Sequence, residues 1–397
     1  MLKGVLLSWI AMFLVVGSIL IPSTSAEEGG QKLTIAMMGD IVFNSGLGSL
    51  TEIEGIEYPF EEIVPLIDDA DITLANLESP ISDKGSPEEG KSSPFRMDPW
   101  TVDSLKYAGI DAVSLSNNHC LDYGPEALND TMDLLEKEGI GHTGIYFGKR
   151  IENATIPRPL LITAGDFRIG LLAYTEDVRS HWVANEHFPG PLPMNRKIME
   201  NDIRTARDHV DLLIISVHWR KWPQYTDRPE PGDIDICHDM VDWGADIIMG
   251  HGPHTVHQVE EYRGALILYS LGNVAMANGN RTSFYSYIAK VNIVDGRIDG
   301  LELVPIYRKS FRYIPMGTPI ERSSAKGYNI TREEIFRMYD KDIYGRVDDE
   351  LSKNDIRILL AISPWYLKAL LVLLLVAIVF MLVLISRSAL ERMSSRR

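Results

Sequence analysis

The sequence predicts an α/β protein built on a largely parallel sheet and followed by a C-terminal transmembrane helix. Short runs rich in valine and isoleucine alternate with helix-like segments, and polar residues directly follow several of these runs. Such alternation is typical of βαβ units. One long uncharged apolar run lies near the C-terminus. With 45% hydrophobic and 24% charged residues, the 397-residue chain can bury a sizeable core, which excludes a disordered protein.

The N-terminal residues 1–26 have the pattern of a signal peptide. Lys3 precedes an uncharged apolar run over residues 4–21, and small residues up to Ala26 form a plausible cleavage site. The apolar run is longer than is usual for such a signal. An uncleaved signal-anchor therefore remains the alternative.

The domain predicted over residues 32–306 contains the alternating elements. Its candidate strands are 33–38, 72–74, 112–115, 169–173, 212–217, 247–249 and 266–269, and its candidate helices are 101–108, 125–138, 195–208 and 234–243. After residue 306 the alternation ends. Residues 307–364 are predicted to form a stalk or helical extension, in which Thr331 and Glu334 have the spacing of a capping box that opens a helix.

A transmembrane helix is predicted at 365–386, followed by a basic tail at 387–397. The run 369–386 is uncharged and, with its interfacial flank at Trp365 and Tyr366, long enough to cross a bilayer. Arginines follow it, and basic residues favour the cytoplasmic side. We therefore expect a cell-membrane protein with its body outside and its C-terminus in the cytoplasm, crossing once, or twice if the N-terminal segment is not cleaved.

The charge is concentrated in the predicted outer part of the chain. The whole chain has a formal charge of −16, but six basic residues and one acidic residue lie outside 27–364. The 33 basic and 54 acidic residues inside give that part a charge near −21. This argues against nucleic acid as a partner, because phosphates need a basic surface. Two cysteines are too few for a disulfide framework or a cysteine-rich zinc module.

Polar side chains follow six of the apolar runs, where the predicted strands end. In an open α/β sheet, ligands bind just beyond the carboxyl ends of the strands, so residues far apart in sequence can converge there. The clusters contain Asp40; Asn76 and Glu78; Asn117, Asn118 and His119, with Asp122 behind them; His218; His251 and His254; and Asn273.

These residue types suit divalent metal ions. Carboxylates, amide oxygens and imidazoles bind Mn, Fe, Zn or Mg, and two such ions could activate water and hold a phosphate-like group. His119 is the natural general acid because its ordinary pKa lies near neutrality. Each cluster alone also has a structural explanation, such as a turn, a loop cap or a buried structural histidine. The functional interpretation rests on their recurrence at one kind of position.

The motifs resemble those of the CapA family of capsule or poly-γ-glutamate synthesis proteins. The resemblance covers about residues 32–306 in collinear order, and its most specific segments are Asn-Asn-His-x-x-Asp-x-Gly from Asn117 and Ser-Leu-Gly-Asn ending at Asn273. That family is similar to the calcineurin-like metallophosphoesterases, which implies a layered α/β/β/α sandwich with a two-metal site. The chain departs from the phosphoesterase pattern at Val42, where a histidine is usual.

The resemblance implies a role for each matching residue. His119 would be the general acid and Asp122 would orient it. Asn76, Asn117 and Asn273 would contact substrate. The metal ligands would be Asp40, Glu78, Asn118, His218, His251 and His254, with Glu78 as a candidate bridge between two ions.

Three functions remain open at this point. One is a metal-dependent hydrolase acting in capsule or poly-γ-glutamate synthesis on a polymeric or phosphate-containing substrate. The second is a non-catalytic accessory or scaffold subunit, associated with polymer synthase subunits at the membrane. The third is an enzyme that processes a different envelope polymer or a nucleotide. The acidic charge is an objection to direct binding of a polyanion, unless metals or a basic patch intervene.

Overall fold

The computed structural model describes residues 19–21, 31–44, 46–146, 159–182, 189–219, 228–276, 281–309, 311–339, 372–376 and 378–379. The chain divides into two compact units, Met1–Ile343 and Tyr344–Arg397. The sheets formed by the described residues lie in the first unit. In the second unit, the described residues are the helical ones at 372–376 and 378–379.

Eighteen strands are found in the described part of the chain. In chain order they are β1 (Ile19–Ile21), β2 (Lys32–Val42), β3 (Ile72–Leu77), β4 (Ala112–Ser114), β5 (Gly141–Thr143), β6 (Ile145–Tyr146), β7 (Leu160–Ala164), β8 (Phe167–Thr175), β9 (Gly190–Pro191), β10 (Leu212–His218), β11 (Ile247–His251), β12 (Val259–Tyr262), β13 (Ala265–Leu268), β14 (Asn273–Met276), β15 (Tyr285–Val294), β16 (Arg297–Lys309), β17 (Arg312–Pro315) and β18 (Ile320–Ser323).

Seven α-helices accompany them within the same residues. They are α1 (Gly46–Glu54), α2 (Val64–Ile67), α3 (Thr101–Tyr107), α4 (Gly124–Lys137), α5 (Arg196–Arg207), α6 (Pro231–Trp243) and α7 (Arg332–Arg337). Local sequence explains several boundaries. Asn195 caps α5 by accepting from the amides of Lys197 and Ile198, and Thr331 with Glu334 forms the predicted capping box of α7.

The strands form two large mixed sheets. Sheet A has the order β1-β7-β8-β10-β11-β13-β12, with β8, β10, β11 and β13 parallel. Sheet B has the order β17-β16-β15-β2-β3-β4-β5, and β14 and β18 pair with β2 and β16. In sheet B, β2 to β5 and β14 are parallel, whereas β15 and β16 are antiparallel. The fold is therefore mixed α/β.

Alternation along the strands places a helix layer outside each sheet. Leu33, Ile35 and Met37 of β2 belong to a core shared with alternate residues of β8, β10, β11 and β13, so the two sheets pack face to face. The opposite face of sheet B packs against α1, α3 and α4. The opposite face of sheet A packs against α5 and α6. The order of layers is helix, sheet, sheet, helix.

The predicted strands and helices of residues 32–306 are all confirmed, but the sheet does not end at 306. β16 runs to Lys309, β17 and β18 pair with it, and Ile335 and Tyr339 are buried in the core between the sheets. Residues 307–339 therefore differ from the predicted stalk, because their alternating apolar side chains complete that core. Residues 340–364 lie outside the described residues.

The predictions for the two ends of the chain fall largely outside the described residues. Of the predicted signal, only Ile19–Ile21 are described, as β1 beside β7. Of residues 365–397, those described are 372–376 and 378–379. Within the described residues, no helix has the length and apolar character needed to cross a membrane.

Candidate functional site

The site begins at an irregularity in β2. Met38 and Ile41 both face the outer helices, although they are three residues apart, and the pairing of β2 with β3 shifts register between Met37 and Asp40. An extra residue in a strand re-aims the side chains beside it. The shift turns Asp40 away from the outer helices, and its carboxylate is fully buried.

Asp40 is the hub of the site. Its Oδ1 accepts a hydrogen bond from Asn76 Nδ2 at 2.9 Å and lies 3.2 Å from His251 Nδ1, while its Oδ2 lies 3.1 Å from His254 Nδ1. Burial opposes ionisation of Asp40, but the two imidazoles outweigh it and hold the pKa of this carboxyl well below its usual range. Asp40 therefore carries a negative charge at neutral pH.

Glu78 provides the second carboxylate, one residue after the end of β3. Its Oε1 lies 3.1 Å from His218 Nε2 and 3.8 Å from His254 Nε2. Ligand atoms of Asp40, Glu78 and His218 all lie within 4.8 Å of one another. Burial disfavours the charged form of His254, but the charge of Glu78 and the contact with Asp40 raise the pKa of its imidazole to about 9.

A turn with unusual backbone geometry places His254. Its φ is +56°, in the left-handed region that few residues other than glycine adopt. Gly252 before it has a φ of +99°, and a Cβ there would lie 2.5 Å from the carbonyl oxygen of Trp219. The turn brings His254 Nδ1 to 3.1 Å from Asn273 Oδ1. Asn273 opens β14, the strand through which the chain passes from sheet A to sheet B.

The donor set fits a divalent cation. Several buried polar atoms of the site have no hydrogen-bond partner among the described residues: Glu78 Oε2, Asn118 Oδ1, His218 Nδ1, His251 Nε2 and Asn273 Nδ2. Buried polar atoms normally have partners. Two carboxylates and three imidazoles, linked by the contacts above, are ligands that such an ion would satisfy, and the buried amide oxygen of Asn118 is a further donor of a suitable type. The residues that could hold an ion are Asp40, Glu78, Asn118, His218, His251 and His254.

A second group of residues adjoins this set through Asn117. Asn117 Nδ2 donates to Leu77 O at 2.8 Å and lies 3.3 Å from Asn76 Oδ1, and its own Oδ1 accepts from the amide of His119. His119 Nδ1 lies 2.6 Å from Asp122 Oδ2. The structure thus brings the predicted acid and its predicted orienting carboxylate into contact, beside the candidate metal ligands.

Three residues near His119 were not predicted from the sequence. Lys91 Nζ is an ion-pair partner of Asp122 Oδ1 and also contacts the carbonyl oxygen of Asn118. The ring of Phe95 stacks on His119 with centroids 4.4 Å apart, and the ring of Trp182 lies 5.2 Å from Lys91 Nζ. Lys91 and Phe95 lie in a loop and Trp182 ends a short 3₁₀ helix, so no strand end pointed to them. The only sequence signal was a lysine and an aromatic residue in a loop rich in glycine, serine and proline.

The chemistry available to the two groups differs. The first concentrates negative charge and imidazole nitrogen, as a cation site does. The second pairs an imidazole with a carboxylate, as a proton donor or acceptor does. Cys120, next to His119, is not part of this chemistry, because burial raises the pKa of its thiol to about 12. Cys120 and Cys237 form no disulfide, and they lie in opposite outer cores.

The chain belongs to a bacterial capsule synthesis family. Residues 34–278, more than half of the chain, match the family described as "Bacterial capsule synthesis protein PGA_cap". The matched region contains every candidate site residue. The resemblance to CapA proteins is thereby confirmed.

Curated relatives carry names from the same field. The chain is 26% identical over 333 residues to the "Capsule biosynthesis protein CapA" of Bacillus anthracis, which covers 81% of this chain and 77% of that protein. It is 29% identical over 271 residues to the "Probable polyglutamine synthesis accessory protein Rv0574c" of Mycobacterium tuberculosis, covering 63% and 70%.

Solved structures with a distant likeness include two phosphatase-type proteins. A 5′-nucleotidase precursor from Thermus thermophilus matches with a TM-score of 0.40 and 11% identity, covering 79% of this chain and 59% of that chain. The calcineurin-like phosphoesterase YfkN from Bacillus subtilis matches with a TM-score of 0.35 and 11% identity, covering 80% and 98%. A likeness this distant carries no weight for activity.

Proposed function

We propose that this chain acts in the synthesis of a capsule or poly-γ-glutamate polymer through a metal-dependent, hydrolase-type site. The observation that carries the proposal is a chain of hydrogen bonds, through Asn76 and Asn117, that links two groups of buried residues. One is the Asp40, Glu78 and His218 cluster, with partnerless polar atoms around it, and the other is the His119–Asp122 pair. Family membership and the relatives' names support the polymer. The bond attacked is a phosphoester or an amide.

The site residues would have different roles in such a reaction. One or two divalent ions, held by the six candidate ligands, would polarise the oxygen of the bond to be broken. Asn76, Asn117 and Asn273 would hold the polar groups of the substrate. His119, with both ring nitrogens protonated, would deliver its Nε2 proton to the departing oxygen or nitrogen as water adds to the other side of the bond and releases a proton to solvent. Asp122 would hold the Nδ1 hydrogen and fix the ring.

We also propose that the protein is anchored in the cell membrane with this domain outside. The support is the apolar run at 369–386 with its basic tail and the signal-like N-terminus. The described helical residues of that run also have exposed apolar side chains, among them Leu373, 66% exposed. Protease digestion of intact cells tests the orientation. Cleavage of the domain from outside supports it, and complete protection contradicts it.

The enzyme proposal is tested by metal analysis together with hydrolysis. We expect the purified protein to contain a stoichiometric divalent metal and to hydrolyse chromogenic phosphoesters or a γ-linked glutamate polymer, and a chelator should abolish the activity. His119→Ala should lower kcat by about 100-fold or more while metal content is retained, because it removes a proton donor and no ligand. His142→Ala, on β5 away from the site, is the matched control. Metal-free protein with unchanged polymer production in His119→Ala cells would contradict the proposal.

A second candidate is a non-catalytic accessory subunit of a polymer synthase or export complex. It is favoured by the word "accessory" in the name of the Mycobacterium tuberculosis relative and by Val42, at the usual position of a histidine in the related phosphoesterases. A His119→Ala/His254→Ala double variant separates the two functions in cells lacking the native protein. Restored polymer production, with synthase subunits still captured by the variant, favours the accessory function. Lost production with intact capture favours catalysis.

A further inference from the structure

A loop between β3 and α3 covers the His119–Asp122 pair. Its base is closed by the hydrogen bonds from Ser82 N to Met97 O and from Met97 N to Pro80 O. From this base, residues 83–96 fold over the turn that carries the pair. The amide of Glu88 donates to the carbonyl oxygen of Asp122, and the amide of Phe95 donates to Asp122 Oδ2 at 2.6 Å. The loop is therefore bonded to the pair itself.

Lys91 is the charged residue that this loop directs at the pair. Its ammonium group contacts Asp122 Oδ1, the carbonyl oxygen of Asn118 and His119 Nδ1, the last at 3.1 Å. An ammonium group has three hydrogens to donate, and the contacts with Asp122 Oδ1 and the carbonyl oxygen of Asn118 use two of them within the chain. Only 12% of its side chain is exposed, and the ring of Trp182 lies on its other side. Lys91 is thus placed to hold chain atoms in position.

We propose that Lys91 is a positioning residue that fixes the charge of Asp122 and, through it, the tautomer and orientation of His119. The inference rests on the proposed function for its catalytic meaning. The Asp122 carboxylate is fully buried, and a buried carboxylate keeps its charge only with a charged partner or strong donors. Lys91 occupies Oδ1, which leaves Oδ2 to the Phe95 amide and to His119 Nδ1.

The tautomer of His119 follows from this arrangement. An ionised carboxylate can only accept hydrogen bonds, so the 2.6 Å contact with Asp122 Oδ2 requires the hydrogen on His119 Nδ1. Nε2, on the opposite edge of the ring, is then the nitrogen available to a reacting group. Phe95 stacks on one face of the ring with an interplanar angle of 24°, which restrains its rotation. Without the ammonium group, Asp122 Oδ1 loses its partner. The carboxylate then no longer determines which nitrogen of the His119 ring carries the hydrogen and faces it.

The test compares substitutions at Lys91 with one at a matched lysine of the same loop. Lys91→Met removes the ammonium group, Lys91→Gln keeps a neutral donor, and Lys91→Arg keeps the charge. Lys84→Met removes an ion pair with Asp130, at an exposed position away from the pair. The readout is the ¹⁵N spectrum of the histidine rings in the full-length protein, with His119→Gln to assign the signals, and it needs no enzymatic activity. Thermal unfolding of each variant reports whether it is folded.

We expect wild-type, Lys84→Met and Lys91→Arg proteins to show His119 protonated on Nδ1, and Lys91→Met to show a mixture of tautomers. If Lys91→Met does not fold, the comparison of Lys91→Gln with Lys91→Arg gives the same answer. Where hydrolysis is found, Lys91→Met should lower kcat by about 10- to 100-fold with KM little changed. Unchanged His119 signals in folded Lys91→Met or Lys91→Gln would overturn the inference. Absence of hydrolysis in the wild type would instead count against the proposed function and leave the spectroscopic result standing.

Discussion

Asp111 links the stability of sheet B to pH. Its Oδ2 accepts a hydrogen bond from the amide of Thr73 at 2.7 Å, and its backbone joins β3 to β5 through Thr73 O and the amide of Gly141. Burial raises the pKa of its carboxyl to about 6, although the bond from Thr73 partly offsets this. The folded state therefore binds the proton more tightly than the unfolded chain. The contribution of the Asp111 carboxyl to the free energy of unfolding is fully present below the pKa that it has in the unfolded chain, near 4. That contribution is lost as the pH rises through the folded-state pKa of about 6.

Asp111→Asn should remove this pH dependence. The amide oxygen can still accept from Thr73, but no charge develops at high pH. In denaturant titrations between pH 4 and pH 8, the free energy of unfolding of the wild type should decrease relative to that of Asp111→Asn as the pH rises. Asp71→Asn, which removes an exposed carboxylate from the equivalent contact with Thr34, is the matched control. A difference between wild type and Asp111→Asn that stays constant across this range would contradict the assignment.

Single residues differ in how far the sequence alone reveals them. Asp40, Glu78, His218 and His251 lie at or next to the ends of parallel strands, where topology brings side chains together, so strand patterns located them. Lys91 reaches the same place from a loop. Its position depends on backbone hydrogen bonds to Asp122, and no periodicity in the sequence encodes such bonds.

The close approach of β2 and β14 depends on Gly39. A Cβ at this position would lie 2.0 Å from the carbonyl oxygen of Gly272, and the adjacent Asp40 amide donates to that same oxygen at 3.0 Å. This obstacle is a backbone atom, so it cannot move without shifting a strand. Gly39→Ala should lower the free energy of unfolding by about 2 kcal/mol or more and reduce metal content, because Asp40 would move with β2.

The matched control for this substitution is Gly232→Ala. Gly232 lies in the first turn of α6, where a Cβ would meet nothing within 4 Å. Alanine suits a helix better than glycine, so this variant should be as stable as wild type or up to about 1 kcal/mol more stable. Denaturant titrations and metal analysis of both variants make the comparison. Equal stability and metal content in the two would show that β2 and β14 tolerate a wider spacing.

At the scale of elements, the parallel strands were easier to predict than the antiparallel ones. The central strands are buried on both faces and appear as uninterrupted apolar runs. β15 and β16 mix buried and exposed residues, and they were not predicted. The sequence nevertheless contains a hairpin signal, the pair Asp295 and Gly296 between the two strands. Both residues have positive φ, as a two-residue hairpin turn requires. Asp-Gly is the residue pair most typical of that turn.

At the scale of the whole molecule, bound metal should stabilise the folded state. The candidate ligands come together only when both sheets are assembled, so an ion would bind the folded protein and hardly the unfolded chain. At a free ion concentration one hundred times the Kd, such binding contributes about 2.7 kcal/mol. A chelator should therefore lower the Tm of wild type but have little effect on Asp40→Asn or His251→Ala. An equal effect of chelator on all three proteins would place the metal elsewhere.

The layered arrangement of the molecule was predicted only through the family resemblance. Local patterns indicated βαβ units but gave no reason to divide the strands between two sheets. That division depends on long-range pairing, such as β2 with β14 and β15, between segments more than 200 residues apart. The compact domain consequently extends through Tyr339.

The two sheets supply the candidate ligands in nearly equal shares. Asp40 and Glu78 come from sheet B, whereas His218 and His251 come from the ends of two strands of sheet A. The spacing between the sheets is set by the apolar core that separates them. A substitution deep in that core, far from any ligand, would therefore change the affinity for the ion by increasing or decreasing the distance between the sheets. The volume of the side chains in the apolar interior would thus determine the distances between the ligands of sheet A and those of sheet B.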